Sequence, residues 1–373
     1  MGRKRALIVL NDLCYNNGMN LTLMVKLLPT TEQHQALLET MERFNAACNA
    51  IAEVAFEHRT ANKIRLQKLV YDSIRKEFGL SAQMTVRAIA KACEAYKRDK
   101  SIKPTFKPHG AIVYDQRLLS WKGLDRVSIL TLGGRILVPI LFGEYQAARL
   151  QRIRGQADLI YRDGTFYLAV VVDVPDPPQG APNGFLGVDL GIKNIATDSD
   201  GEVFSGGHVN GLRHRHARLR QRLQSKGTKS AKRLLKKRRR KEARFATNVN
   251  HRIAKVLVAK AKDTGRGIAL EDLKGIRDRI TVRKAQRRTQ HSWAFHQLRF
   301  FIEYKARLAG VPVVFVDPRN TSRTCPSCGH ADKRNRPTRD NFECVECGFA
   351  GPADTIAAVN IRRRAEVMQP YAV

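Results

Sequence analysis

Four cysteines near the end of the chain have the spacing of a structural zinc site. They form two Cys-x2-Cys pairs separated by fifteen residues: Cys325, Cys328, Cys344 and Cys347. This is the spacing of a zinc ribbon, in which two knuckles supply four thiolates to one tetrahedral ion. Gly329 and Gly348 follow the two pairs, where each knuckle needs a tight turn. Because four thiolates leave no open coordination position, we expect the zinc to be structural rather than hydrolytic.

Acidic residues also occupy positions where an ionised side chain needs a partner. Asp189 interrupts the apolar strand pattern "FLGVDLG", and Glu271 follows the apolar segment "GIAL". A buried carboxylate is strongly unfavourable without a cation or a metal ion, so each acid requires one or must be exposed. Asp354 begins a predicted helix, where helix capping explains an aspartate equally well. Asp272 is an alternative to Glu271, because period-two alternation places the two on opposite faces without deciding which face lines a site.

The order of these acids along the chain is that of an RNase H-like nuclease core. In such a core, an aspartate lies on a strand that a β-hairpin follows, a glutamate ends a later strand, and an aspartate opens a C-terminal helix. Three carboxylates can then hold two divalent ions about 4 Å apart, one activating water and one stabilising the leaving oxygen of a phosphodiester. Oxygen ligands favour Mg²⁺ or Mn²⁺ over zinc.

The N-terminal part of the chain predicts one β-strand and three amphipathic helices. Residues 20–30 alternate like a strand, and we expect a disordered extension before Met19. A helix follows Thr30, with Gln33 at the spacing of a capping box. Apolar residues at helical spacing predict two further helices, of which one ends at Gly79 and the next begins near Ser81.

Residues 102–174 change to the period-two alternation of strands, with glycine-containing turns that include the hairpin signal "RDGTF". We expect an all-β module that forms a barrel. Because the strand around Leu21 has no neighbouring strand of its own, it should complete this barrel, which makes the helices an insertion. The proline- and glycine-rich residues 175–184 are then a linker.

A strongly basic segment lies between the predicted strands of Asp189 and Glu271. Residues 212–245 are about half Lys and Arg, and the break at "SKGTKS" predicts a helical hairpin. A solvated face is the alternative, but nearly all the charges share one sign, which favours contact with nucleic acid. Candidate contact residues are Arg218, Arg222, Lys229, Lys236, Arg239 and Arg244. A separate helix around Ile253, a helix from about Trp293 to Ala309 and a C-terminal helix are also expected.

The composition points to a polyanionic partner. The 373 residues, enough for two or three domains, include 67 Lys and Arg against 34 Asp and Glu, a net charge of +33 that nucleic acid would neutralise. A membrane surface competes as a partner, but no apolar run approaches the about 20 residues that span a bilayer. Asn11 and Asp12 end the first apolar run too early for a signal peptide, so we expect a cytoplasmic protein. Cys14, Cys48 and Cys93 are scattered, which fits packing rather than disulfides.

Several segments, in this order, resemble the motifs of the TnpB family of transposon-encoded, RNA-guided nucleases. "GVDLGIKNIAT" resembles the first RuvC motif, "IALEDLKGI" the second, "VDPRNTSRTCPSCGH" with "CVECG" the zinc ribbon, and "ADTIAAVNI" the third. The resemblance extends nearly end to end. It implies that Asp189, Glu271 and Asp354 bind Mg²⁺ or Mn²⁺ and that the four cysteines bind zinc. Ile356 stands where the family commonly has asparagine.

The resemblance also implies an α/β multidomain fold. A RuvC-like, that is RNase H-like, core would contain the inserted zinc ribbon, and a wedge β-barrel would carry an inserted helical recognition domain. The expected division is 1–29 for the N-terminal extension and first wedge strand, 30–101 for the recognition domain, 102–182 for the wedge barrel, 183–319 for the core with its basic hairpin, 320–352 for the ribbon and 353–373 for the rest of the core.

The activity that the resemblance implies is RNA-guided cleavage of double-stranded DNA beside a short transposon-adjacent motif. One chain would bind one guide RNA, at the nucleoid of a prokaryotic cell. Two alternatives remain: an RNA-guided repressor that binds DNA without cutting, and a non-guided RNase H-like resolvase or transposase accessory protein. The basic residues within 277–290 are expected to form a mobile lid or to contact the nucleic-acid backbone.

Overall fold

A computed structural model describes residues 18–150, 153–273 and 295–368. The chain divides into two compact units, Met1–Pro175 and Asp176–Val373. Residues 1–17 of the predicted extension, the basic residues 277–290 and the predicted helix start at Trp293 lie outside the described residues. Within the described ranges, no helix is both long and apolar enough to cross a membrane.

The first unit contains a nearly closed antiparallel sheet. Its strands are β1 (Gly18–Leu27), β2 (Ile112–Tyr114), β3 (Leu119–Lys122), β4 (Arg126–Thr131), β5 (Gly134–Leu141), β6 (Ile153–Arg162) and β7 (Thr165–Pro175). They lie in the order β2-β6-β7-β1-β5-β4-β3. β1 pairs with β7 from Gly18 to Lys26 and with β5 at Lys26 and Leu27, which confirms that the first strand joins the later ones. In the described part of the chain the end strands β2 and β3 do not pair with each other, so hydrogen bonds do not close the predicted barrel.

Three helices lie between β1 and β2 in the chain, and a single helical turn follows β5. They are α1 (Thr31–Glu57), α2 (Lys63–Phe78), α3 (Ala82–Arg98) and α4 (Glu144–Ala147). The capping box at Thr30 and Gln33 is confirmed, because each side chain accepts a hydrogen bond from the other residue's backbone N–H. Gly79, with φ +62°, ends α2, and Ser81 caps α3, as their residue types predict.

The second unit contains a five-stranded mixed sheet and a small two-stranded sheet. The large sheet consists of β8 (Phe185–Asp189), β9 (Asn194–Asp198), β10 (Val203–Ser205), β11 (Gly267–Glu271) and β12 (Val313–Val316), in the order β10-β9-β8-β11-β12. β8, β9 and β10 are antiparallel neighbours, whereas β11 runs parallel to both β8 and β12. The small sheet pairs β13 (Asn341–Glu343) with β14 (Ala350–Pro352).

Helices cover both faces of the large sheet. They are α5 (Gly207–Lys226), α6 (Lys229–Asp263), α7 (Phe295–Ala309) and α8 (Ala353–Met368). Leu257 of α6 and Ile302 of α7 belong to the apolar core on one face of the sheet. Ile361 and Ala365 of α8 pack on the other face. The strands are therefore buried on both sides, which is why β8 and β11 read as apolar runs.

The predicted basic hairpin is confirmed as α5 and α6, which turn at Gly227 and Thr228. The prediction of a separate helix around Ile253 is wrong, because α6 continues without a break for 35 residues to Asp263. No glycine or proline interrupts this stretch. The basic N-terminal part and the more apolar C-terminal part therefore form one continuous helix.

Gly187 brings α8 directly onto β8. A Cβ atom at this position would lie 2.1 Å from the carbonyl oxygen of Ala358 and 2.6 Å from the backbone nitrogen of Arg362. Real Cβ atoms do not approach backbone atoms this closely, so only glycine permits the contact. The backbone of Gly187 is also fixed from its other side, because its N–H donates to the Ser199 hydroxyl and its carbonyl accepts from the Ser199 N–H.

Candidate active site and metal centre

Asp189 lies at the C-terminal end of β8, where the apolar strand meets a partly exposed edge of the sheet. Burial, together with the negative charges of Glu271 and Asp354, raises the pKa of the Asp189 carboxyl from 3.8 to about 7. Arg336 and the backbone N–H of Leu190 act in the opposite direction. Asp189 therefore interacts with both of the other acids that the sequence singles out, although up to 165 residues of chain separate them.

Glu271 reaches this edge because β11 runs parallel to β8. Leu270 lies opposite Val188 in the sheet, so the next residue of each strand, Glu271 and Asp189, ends its strand at the same edge. Burial raises the pKa of Glu271, while a hydrogen bond from Thr321 and the positive charge of Arg364 oppose this shift. Ligands commonly bind at the carboxyl ends of parallel strands, and both acids lie there.

Asp272 points away from this cluster and has its own cation. The Arg299 guanidinium lies 3.0 Å from Asp272 Oδ1 and 2.7 Å from Glu303 Oε1, and it stacks on the Phe315 ring at 3.7 Å. Strand alternation does not distinguish Glu271 from Asp272, but the contacts of Arg299 with Asp272 and with Phe315 of β12 do. Glu271 adds negative charge next to Asp189, whereas Asp272 forms an ion pair with Arg299 of α7.

Asp354 lies in the first turn of α8 rather than at its N-cap. Asn194, at the start of β9, donates from Nδ2 to Asp354 Oδ2 at 2.9 Å. Arg336, from the segment between the two cysteine pairs, lies 3.3 Å from Asp354 Oδ1. The carboxylate of Asp354 is thus held between the strand that follows β8 and the cysteine-rich segment.

The compact cluster of potential metal ligands in the described part of the chain consists of the cysteines. Among the described residues, the cysteines form the one set of three or more potential ligands whose atoms all lie within 4.8 Å of one another. Three carboxylates that share two ions about 4 Å apart do not all have to contact one another.

The four cysteines are arranged as a zinc ribbon. Cys325 Sγ lies 3.6 Å from Cys347 Sγ, and Cys328 Sγ lies 3.6 Å from Cys344 Sγ. Thiolates at about 2.3 Å from a tetrahedral zinc would be about 3.8 Å apart, so the cluster fits this ion. Both predicted knuckle glycines have positive φ, +79° at Gly329 and +73° at Gly348. Ile356, which replaces the family's usual asparagine, is buried with Cys325, Cys344 and Phe342 in a small apolar core beneath the ribbon.

The basic hairpin presents its candidate contact residues to solvent. The six are exposed, two on α5 and four on α6: Arg218, Arg222, Lys229, Lys236, Arg239 and Arg244. Glu242 is the one acid in residues 207–262, and it lies 3.4 Å from Arg220 and 3.5 Å from His216 on α5. The single carboxylate thus joins the two helices, and the remaining surface keeps its positive charge.

Sequence reasoning missed four residues: Asn194, Thr321 and Arg336, which contact the acids, and Asn360, which holds the loop of Thr321. Each lies in or beside a segment that was singled out for its acids or its cysteines. Nothing in the period or spacing of these residues distinguishes them, because their role depends on contacts between distant parts of the chain. Arg336 in particular is one of several arginines in a basic segment.

The raised pKa of Asp189 predicts that the stability of zinc-loaded protein, without added Mg²⁺ or Mn²⁺, depends on pH. Because the folded-state pKa of about 7 lies above the ordinary value of 3.8, the bound proton stabilises the folded state at low pH, and this contribution is lost as the pH rises through 7. Between pH 6 and 8 the loss is about 1.4 kcal/mol. Asn does not titrate, so the free energy of unfolding of Asp189→Asn should not show this loss. Its difference from the unmodified protein should therefore grow by about 1.4 kcal/mol in favour of the variant from pH 6 to pH 8, measured by urea unfolding at both pH values. An unchanged difference between the two proteins would contradict the prediction.

Comparison with known proteins identifies the family. Residues 169–273 match a family model described as a probable transposase, and residues 295–361 match the TNB domain of Cas12f1-like proteins. CRISPR-associated endodeoxyribonuclease Cas12f1 of Sulfoacidibacillus thermotolerans is 30% identical over 302 residues, which cover 72% of this chain and 69% of that protein. TnpB-like protein MJ0751 of Methanocaldococcus jannaschii is 26% identical over 264 residues, which cover 65% of this chain and 91% of that protein.

The fold is similar to that of a solved relative. The cryo-EM structure of a Cas12f1–sgRNA–target DNA complex matches with a TM-score of 0.62 at 14% identity, and the match covers 93% of this chain and 99% of that one. These matches place the chain in the class of transposon-encoded TnpB-like proteins and CRISPR-associated Cas12f1-like proteins. The chain belongs to the TnpB family, and the resemblance that its motifs suggest is confirmed.

Proposed function

We propose that this protein is an RNA-guided, Mg²⁺-dependent endonuclease that cleaves double-stranded DNA beside a short transposon-adjacent motif. The observation that carries the proposal is the convergence of Asp189, Glu271 and Asp354 from β8, β11 and α8 at one edge of a sheet. These acids would be the catalytic metal ligands. The relative named above as an endodeoxyribonuclease, and the fold shared with the Cas12f1 protein of a complex that holds sgRNA and target DNA, support the same function.

The sheet topology supports an RNase H-like, or RuvC-like, core. Numbered in chain order, the five strands of the large sheet lie as 3-2-1-4-5, with the first three antiparallel to their neighbours and the last two parallel to the first. Asp189 is on the first strand, Glu271 on the fourth, and Asp354 on the helix that covers one face. This is the arrangement that the order of the acids suggests.

The donor chemistry of the cluster fits Mg²⁺ or Mn²⁺. All three side chains offer hard oxygen atoms. The negative charges of Glu271 and Asp354 add to the free-energy cost of ionising Asp189, which is why its pKa is raised. Divalent ions bound here would lower that cost, activate water and stabilise the leaving oxygen of the phosphodiester. Among this chain's own residues, Asn194 would orient Asp354, and Arg336 would balance part of the negative charge next to it.

The domain division that the resemblance implies also belongs to this proposal. The nearly closed sheet of the first unit would be the wedge domain, and α1, α2 and α3 would be the recognition domain. One guide RNA would bind to one chain, with base pairing to the target supplying sequence specificity and the exposed basic residues of α5 and α6 contacting phosphates. A protein with these partners would act at the nucleoid.

The function is tested with protein that is purified together with RNA from its native flanking locus. Sequencing the bound RNA identifies the guide, and plasmids that carry the matching target beside randomised sequence report cleavage with Mg²⁺. We expect Asp189→Ala to abolish cleavage while guided DNA binding is retained.

Each alternative predicts a different result in this experiment. Guided binding without cutting by the unmodified protein would favour a repressor. Cutting of DNA in the absence of RNA would favour a non-guided resolvase or transposase accessory protein. Full cleavage by Asp189→Ala would contradict the assignment of the acid cluster.

A further inference from the structure

A hydroxyl group holds one oxygen of Glu271. Thr321 is buried, with 3% of its surface exposed, and its Oγ1 lies 2.5 Å from Glu271 Oε1 and 3.1 Å from the carbonyl oxygen of Pro318. A threonine hydroxyl carries one hydrogen. We assign this hydrogen to the carboxylate, because it is the nearer acceptor and because hydrogen bonds to ionised groups are about twice as strong as neutral ones. One oxygen of Glu271 is therefore held by Thr321.

The loop that carries Thr321 is itself fixed to α8. Asn360, which is buried, donates from Nδ2 to the carbonyl oxygen of Thr321 at 2.8 Å and to that of Thr324 at 2.7 Å. Both hydrogens of this amide group are thus used to hold the loop. Arg364, one turn further along α8, donates to the carbonyl oxygen of Asp317 at 2.5 Å.

Two of the three acids consequently depend on one helix. Asp354 lies on α8 itself, and Glu271 is oriented by a loop that α8 holds through Asn360. The same loop continues directly into Cys325 of the zinc ribbon. The hydrogen bonds of Thr321 and Asn360 therefore connect Glu271 to the helix that carries Asp354. The backbone of the same loop connects Thr321 to the zinc ribbon.

We infer that Thr321 is the positioning residue for the candidate metal ligand Glu271, and that Asn360 keeps Thr321 in place. The inference rests on the proposed function, since it assigns a role toward the ions that the acid cluster would bind. Hydrogen bonds that orient metal ligands typically contribute about 10-fold to 100-fold in metal affinity or activity. Thr321 should contribute within that range although it does not contact the ion.

The test is a Mn²⁺ titration of the zinc-loaded full-length protein, with free Mn²⁺ measured by electron paramagnetic resonance. Thr321→Val keeps the shape of the side chain and removes the hydroxyl, so we expect the dissociation constant for Mn²⁺ to rise about 10-fold or more. Thr321→Ser restores the hydroxyl and should return the constant to near its original value. The Mg²⁺ concentration for half-maximal cleavage should follow the same order.

Thr324→Val is the matched control, because Thr324 lies in the same loop and its hydroxyl donates to the carbonyl oxygen of Asn320 instead of to an acid. We expect this variant to bind Mn²⁺ within about twofold of the unmodified protein. Asp189→Ala provides the reference for loss of the metal site. If Thr321→Val does not fold, Thr321→Ala replaces it, because this change also removes the hydroxyl.

The outcomes separate the inference from the proposed function. Unchanged Mn²⁺ affinity in the folded Thr321 variant, together with weakened binding in Asp189→Ala, would overturn the role of Thr321 and leave the metal site intact. Unchanged binding in Asp189→Ala would overturn both. Equal weakening in Thr321→Val and Thr324→Val would show a general effect on the loop and would also overturn the inference.

Discussion

Replacing Glu271 by Gln is expected to reduce guided DNA cleavage by about 10³-fold or more, equivalent to at least about 4 kcal/mol of transition-state stabilisation. Glutamine has nearly the same shape and can still accept the hydrogen bond from Thr321. It carries no negative charge, so it cannot replace a carboxylate in holding divalent ions. The measurement is a single-turnover cleavage assay with guide RNA, matched target DNA and Mg²⁺.

The neighbouring acid provides a sharp control for this experiment. Asp272→Asn removes one negative charge one residue away, on a side chain that pairs with Arg299 instead of with the acid cluster. We expect its cleavage rate to remain within about fivefold of the unmodified protein, because a partly exposed ion pair contributes little. A large loss for Asp272→Asn with a small loss for Glu271→Gln would reverse the assignment of the two acids.

Replacing Cys344 by Ser is expected to remove zinc from the ribbon and to abolish cleavage. Binding of a structural zinc ion contributes on the order of 10 kcal/mol to small domains of this kind, far more than the ribbon's small apolar core can supply. The segment that loses its support contains Arg336, which contacts Asp354, and is continuous with the loop of Thr321. Elemental analysis should show that the bound zinc falls from one ion per chain to almost none.

Cys93→Ser is the matched control for the loss of zinc. Cys93 is also buried, but it lies on α3 of the first unit and is not one of the four clustered cysteines. It should lower stability through packing while zinc remains bound at one ion per chain. If Cys344→Ser kept its zinc and cleaved DNA at the original rate, the ribbon would not be the support for the acid cluster that we describe.

The sequence predicts the positions of the acids better than it predicts their surroundings. Asp189 and Glu271 stand out because each ends an apolar run, and burial of a charged group is a strong local signal. Strand alternation could not decide between Glu271 and Asp272, because both faces of β11 are covered by helices. The decision depends on Arg299, which lies in a different element and becomes a neighbour only when the sheet and α7 assemble.

Contacts that depend on irregular backbone were not predictable. Thr321 and Arg336 lie in segments without a repeating pattern, so periodicity gives no information about which side chains turn toward the acids. The length of α6 was misjudged for a related reason. Its basic and apolar halves have different compositions and were interpreted as separate helices, yet backbone continuity depends on the absence of helix-breaking residues and not on uniform composition.

The close approach at Gly187 has a consequence for how this site tolerates change. The distance between the strand that ends in Asp189 and the helix that begins with Asp354 is set where main chain touches main chain, with no side chain as a spacer. Substitutions elsewhere in the interior can therefore alter packing volume while the gap between these two acids stays constant. Natural sequence change or engineering elsewhere in the second unit can thus alter packing without altering the separation of β8 and α8 at this contact.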